Sequence, residues 1–420
     1  MKANVPSVAI LALILMTMGC GGSFTLSTTK TNPVPATPTT RPSFAFVLTA
    51  RDKVASYSLN SCAGALIATK PPTVDTGANH FGLERIAVDP VGRFAYVANL
   101  MSNASDLAVS MFTVHQSNGV LTPTSPPSVA AGSVPEWCRP LPRPEYKSIE
   151  RVPVSDAWFE VYKPAPNVFA IYEPHQAEEV ISYLIVGEKR ALLFDTGMGI
   201  SDIKKVTAEL TKLPIVVLNS HTHDDHVGGN WEFDSVYGIF TNFTMKNARG
   251  SREDAQAEIT PEQICGSLPA AFDPKTYVTR RWKIFAYTHD GDHFDLGGRV
   301  IEIIATPGHT PDAISLIDRA DGLLFTGDTY YPAPIWLFRP ETDLDAYAAS
   351  IRRLAALAPK VKLVLGAHNI PVAKPEVLER LVKAFDAVRA GKVTATPDSP
   401  GKVLYKVDDI SFLMRAPAAH

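Results

Sequence analysis

An α/β fold for the larger part of this 420-residue chain, preceded by a small all-β segment, is predicted by two observations. Toward the C-terminus, short apolar, β-branched runs end again and again in a histidine or an aspartate. Nearer the N-terminus, strand-like runs punctuated by Gly and Pro recur every 50 to 55 residues, as between Phe44 and Phe94 or Gly64 and Gly119. In the first pattern, Ala191 to Phe194 leads to Asp195, Ile215 to Leu218 to His221, and Val300 to Ala305 to His309. Leu323 to Phe325 leads to Asp328, and Val361 to Leu365 to His368. A buried parallel strand reads as a continuous apolar run. Its carboxyl end is where an α/β sheet can gather polar side chains without disturbing the core.

The densest strand end is His221-Thr222-His223-Asp224-Asp225-His226, with Gly228-Gly229 behind it. Of the 11 histidines, His221, His223, His226, His309 and His368 all fall in this pattern, which scattered structural histidines would not produce. Imidazoles and carboxylates without cysteine point to zinc, with manganese or iron also compatible. His221, His223 and His309 can hold one ion and Asp225, His226 and His368 a second, with the Asp328 carboxylate bridging. Two zinc ions would lower the pKa of a shared water and polarise a carbonyl or phosphoryl oxygen. The predicted reaction is therefore hydrolysis by a dizinc-bridged hydroxide, with Asp225 orienting the nucleophile.

The motifs HTHDDH, TPGHT, TGD and GAH, in that order, resemble those of the metallo-β-lactamase superfamily of binuclear hydrolases, over roughly residues 150 to 395. The resemblance implies an αββα sandwich: two mixed sheets face to face, helices outside, the site along one edge. It also implies that Asp195 supports the metal loop through hydrogen bonds without being a ligand. Asp328 stands where β-lactam hydrolases of this fold carry cysteine or serine. Glyoxalase II, the lactonases, RNase Z and the phosphodiesterases have the bridging aspartate. His223 replaces the glutamate of the flavodiiron branch, which keeps zinc ahead of iron.

A formal net charge of −3 gives no basic footprint for a nucleic acid, so the RNase branch is set aside. What remains is a small molecule with a hydrolysable ester, lactone or thioester carbonyl. Tyr331, three residues after Asp328, resembles a tyrosine of the acyl-homoserine lactonases that positions the substrate carbonyl. Tyr330 competes for that role, and packing under the loop is the other reading of both. Glyoxalase II adds a C-terminal helical region, whereas here a helix from about Pro375 to Arg389 and a strand from Lys402 to Val407 follow His368. β-Lactam or phosphodiester cleavage is the alternative within the superfamily. A cell-surface binding protein acting through the N-terminal repeats is the alternative from another class.

Lys2 and the apolar run Val8 to Met16 read as an export signal, too short to span a membrane. Gly19-Cys20 resembles a bacterial lipobox, although Thr17 occupies the usual leucine position, so a lipid anchor at Cys20 and a periplasmic or exterior location are expected. Residues 21–42, rich in Thr and Pro, read as a tether. In residues 43–135, Ser43 to Val47 aligns with Arg93 to Val97 and Pro71-Pro72 with Pro126-Pro127, and the units resemble blades of the YVTN or lactonase-type β-propeller family. About two blades cannot close a propeller. Residues 136–150 read as a proline-rich linker, 151–395 as the hydrolase and 396–420 as a strand and tail. Besides Cys20, the cysteines Cys62, Cys138 and Cys265 show no spacing that pairs them.

Overall fold

A computed structural model describes residues 43–49, 53–60, 65–76, 80–89, 92–101, 106–133 and 137–417. The expected export signal, Cys20, the tether and Cys62 lie outside the described residues. The chain divides into two compact units, Met1–Glu136 and Trp137–His420. No helix among the described residues is long and apolar enough to cross a membrane.

The N-terminal unit holds two antiparallel sheets. One joins Ser43–Thr49, Lys53–Asn60 and Ala65–Asp75 in sequence order; the other joins His80–Val88, Phe94–Met101, Asp106–Val114 and Leu121–Ser133. Two threonines 55 residues apart make the same local hydrogen bond. Thr69 Oγ1 donates to Pro71 O and Thr124 Oγ1 to Pro126 O, each at 2.7 Å, on the last strand of each sheet. Alternate residues Phe46, Val54, Ala95, Val97, Phe112 and Val114 form a small shared core.

The C-terminal unit is a stack of sheets and helices. Its larger sheet has the order Ile284–Thr288, Val236–Ile239, Ile215–Leu218, Ala191–Phe194, Ile181–Val186, Val168–Tyr172, Glu160–Ala165, Glu150–Val152. The first four are parallel and the rest antiparallel. The second sheet runs His293–Asp295, Val300–Ala305, Ile314–Asp318, Leu323–Gly327, Leu363–Gly366, with only the last pair parallel. Strand alternation then assigns the faces. Leu192, Phe194, Val216 and Leu218 meet Ile301, Ile303, Leu316 and Phe325 between the sheets. Ala191, Leu193 and Val217 face outward onto Ile203 and Val206 of the helix Ile203–Leu210. On the far side, Ile304, Leu324 and Val364 pack against the apolar stripes of the helices Leu344–Ala355 and Glu376–Arg389.

Two expectations need correction. A single strand was expected after the last helix, yet Thr396–Ser399, Lys402–Val407 and Ile410–Arg415 form a sheet with Pro334–Leu337. The pair Asp408-Asp409, with Asp408 at φ 54°, makes the tight turn that continues the chain into Ile410–Arg415. Residues 136–150 read as a linker, but from Trp137 onward they are built into the C-terminal unit. Cys138 and Cys265 form a disulfide, Trp137 Nε1 donates to Glu262 O, and Arg143 and Tyr146 are buried. Proline content suggested a spacer, and only partners distant in sequence reveal it as packed.

Candidate metal centre

Four loops at strand ends converge. Ile215–Leu218 delivers His221, and Asp224–Val227 then forms one helical turn that sets Asp225 and His226 toward the centre. Val300–Ala305 leads to His309, Leu323–Gly327 to Asp328 and Leu363–Gly366 to His368. Gly308 makes the His309 loop possible. Its φ is 143°, and a Cβ there would collide with the Tyr347 backbone.

The donor atoms fall into three overlapping groups, each within 4.8 Å: His221, His223 and His309; His221, His226 and Asp328; Asp225, His226 and His368. His223 Nδ1 lies 2.9 Å from His221 Nε2 and 3.1 Å from His309 Nε2. On the other side, Asp225 Oδ2 lies 2.9 Å from His226 Nε2 and 3.5 Å from His368 Nε2. Asp328 sits between, 3.0 Å from His368 Nε2, 3.4 Å from His226 Nε2 and 3.5 Å from His309 Nε2. The structure thus brings together all seven residues singled out as ligands.

Hydrogen bonds at the outer nitrogens set the tautomers. His309 Nδ1 donates to Trp336 O at 2.8 Å and His368 Nδ1 to Glu178 O at 2.5 Å. His226 Nδ1 pairs with Asp195 Oδ2 at 3.0 Å, and His223 Nε2 with Glu341 Oε1 at 2.7 Å. With its outer nitrogen engaged in this way, each ring in its neutral form points a lone pair inward. Lone pairs at such separations repel unless a cation lies among them. His226 Nε2 and Asp328 Oδ1 are, accordingly, buried without a hydrogen-bond partner among the described residues. This donor set fits metal ions.

The titration behaviour follows from the same crowding. Burial pushes His309 down to about 4 and His221 well below the usual imidazole range. Burial also opposes a charge on His368, but the Asp328 carboxylate outweighs it and holds that ring at about 9. Asp195, expected as a support, accepts from Ser220 N at 2.6 Å with its other oxygen. Glu341 and the carbonyls of Glu178 and Trp336 were not legible: no spacing ties them to the motifs, and two act through their backbone. His289 and His293, outside the pattern, are exposed beside Asp292 and Glu302.

Residues 178–368 match the family model described as Metallo-beta-lactamase superfamily. This segment belongs to the metallo-β-lactamase superfamily. The chain is 22% identical over 251 residues to acyl-coenzyme A thioesterase MBLAC2 of Homo sapiens, covering 56% of this chain and 84% of the relative. It is 29% identical over 186 residues to a hydroxyacylglutathione hydrolase of Yersinia enterocolitica, covering 44% and 60%. A solved archaeal member, ST1585 from Sulfolobus tokodaii, is 22% identical, covers 56% of this chain and 91% of that one, and gives a TM-score of 0.39.

Around the metallo-β-lactamase centre, a narrow cleft is lined by Glu178, Glu258, Tyr331, Trp336 and Arg339 beside the ligands. A cavity of 430 Å³ adjoins it at His223 and Asp224, with Lys246, Arg249, Asp254 and Arg339 on its walls. The segment 250–258 contains the short helix Glu253–Ala257 and carries Glu258 to the cleft. The Tyr331 ring lies 4.7 Å from that of His368, while its hydroxyl donates to Pro334 O at 3.0 Å and accepts from Trp336 N at 3.1 Å. Tyr330 is buried in the core on the helical side.

Proposed function

We propose that this protein is an exported metal-dependent hydrolase that cleaves an acyl thioester, with ester and lactone carbonyls as the neighbouring chemistry. The observation that carries the reading is the pair of donor groups, His221, His223, His309 and Asp225, His226, His368, with Asp328 between them. When bound, two zinc ions would supply an activated water and polarise the acyl carbonyl. The Asp225 carboxylate would orient that water. Attack forms the C–O bond, the C–S bond breaks, and the thiolate leaves to take up a proton. Two relatives named for removing acyl groups from coenzyme A and from glutathione support the thioester choice. Lys246, Arg249 and Arg339 supply cations on the adjoining cavity wall for an anionic acyl carrier. The engagement of the Tyr331 hydroxyl by its own loop favours packing over a lactonase-type role.

On this proposal the lipidated Cys20 tethers the enzyme to a membrane surface, and the two N-terminal sheets are propeller-type blades. The test measures zinc content and turnover together, on acyl-coenzyme A, acyl-glutathione, lactones, phosphodiesters and a chromogenic β-lactam. Two zinc equivalents with thioester turnover are expected, and Asp328→Ala should lose the second equivalent and most activity. Phosphodiester or β-lactam turnover alone would move the enzyme to another branch, and absence of zinc would overturn the reading. Deleting residues 43–135 separates catalysis from recognition: intact turnover is expected, whereas loss of partner binding as the main consequence would favour a cell-surface binding protein.

A further inference from the structure

His368 reaches the centre on a strand end that is held from behind. Besides the bond from its Nδ1 to Glu178 O, it bridges Val180 antiparallel, and Asn369 N donates to Glu179 O at 3.0 Å. Asn369 and Glu179 both have positive φ, 62° and 48°. A glutamate adopts that region only where its surroundings over-determine it.

What over-determines it is a chain of buried and half-buried polar groups. Asn369 Nδ2 donates to Glu179 Oε2 at 2.9 Å, and Tyr146 Oη donates to Asn369 O at 2.7 Å. The other Glu179 oxygen pairs with the Arg143 guanidinium and accepts from the Tyr172 hydroxyl. Arg143 Nε donates to Tyr172 Oη at 2.7 Å, and the Tyr146 ring stacks on Tyr172 with centroids 4.7 Å apart. The Arg143 and Glu179 side chains are only 2% and 3% exposed. Arg143 and Tyr146 come from the proline-rich segment that precedes the 178–368 match.

We propose that Arg143 and Tyr146 are positioning residues of the metal centre, holding Glu179 and Asn369 and through them the imidazole of His368. The proposal rests on the metal reading of the cluster. None of the hydrogen bonds of this network reaches His221, His223 or His309, so its loss acts on one donor group and spares the other. A merely structural role would lower overall stability and leave the relative affinities of the two groups unchanged.

The test is a zinc titration of the metal-stripped full chain against a chelator, with cobalt(II) absorption spectra as a second readout. Arg143→Met combined with Glu179→Gln removes both charges, so neither is left buried and unpaired. Asn369→Gly keeps the positive φ and deletes the amide link, and it leaves the Arg143 pair intact should the double variant not fold. In both, the first equivalent should bind as in the wild type and the second about 10 to 100 times more weakly. A second equivalent bound as tightly as in the wild type would overturn the proposal. So would equal weakening of both equivalents together with a lower Tm. If the wild type takes up no zinc, the metal reading itself fails, which is seen before any variant is compared.

Discussion

His226 Nδ1 lies 3.0 Å from Asp195 Oδ2, and the two side chains are 0% and 1% exposed. Asp195, at φ 69°, closes the strand Ala191–Phe194 and accepts from Ser220 N, so one carboxylate ties the first strand motif to the metal loop. An asparagine would present N–H to His226 Nδ1 and drive the ring proton to the inward nitrogen. Asp195→Asn is expected to weaken zinc binding about 10 to 100-fold, as outer partners of metal ligands do. Residual zinc after dialysis against a chelator is the measurement; wild-type retention would reject the tautomer argument.

Tyr331 acts on the centre through Trp336. Its hydroxyl accepts from Trp336 N, and Trp336 O accepts from His309 Nδ1. Tyr331→Phe leaves the part-buried Trp336 N–H unsatisfied, should cost about 1–3 kcal/mol, and should slow lactones and thioesters by the same factor. A selective loss of lactone turnover, seen by comparing kcat/KM for the two classes, would restore a substrate-positioning role.

Glu173 contributes a pH dependence. Burial raises its carboxyl to about 7, even though Trp158 Nε1 and Met198 N donate to it. The unfolded chain releases this proton near 4.5 and the folded chain near 7, so the folded state binds more protons between those values. Stability from this group is therefore present at low pH and lost as pH rises through 7, by roughly 3 kcal/mol at most. Denaturant unfolding of the wild type and Glu173→Gln at pH 5 and pH 8 checks the sign: the wild type should lose ground to the variant at the higher pH.

The Cys138–Cys265 disulfide closes a separation of 127 residues, with Cα atoms 5.5 Å apart. Constraint of the unfolded chain by so long a loop predicts that Cys265→Ala lowers the unfolding free energy by about 2–5 kcal/mol. Reductant should lower the wild type similarly and leave the variant unchanged. An equal response of both to reductant would show that the crosslink does not form.

By itself the sequence determined the strands that carry function and the residues at their ends. Continuous apolar runs are how buried strands must read, and polar side chains gather where such runs stop, so the candidate ligands His221, His223, Asp225, His226, His309, Asp328 and His368 were all legible. The Gly and Pro punctuation likewise marked the turns between the N-terminal strands. Only the tertiary structure decided what surrounds those ligands. Glu341, the Trp336 and Glu178 carbonyls, and the Arg143–Glu179 pair act across long sequence separations or through backbone atoms common to every residue, and no local pattern encodes them. The same reason explains the segment from Trp137 to Tyr146: its composition is that of a spacer, and its place in the fold depends on charges, rings and a cysteine supplied from elsewhere in the chain.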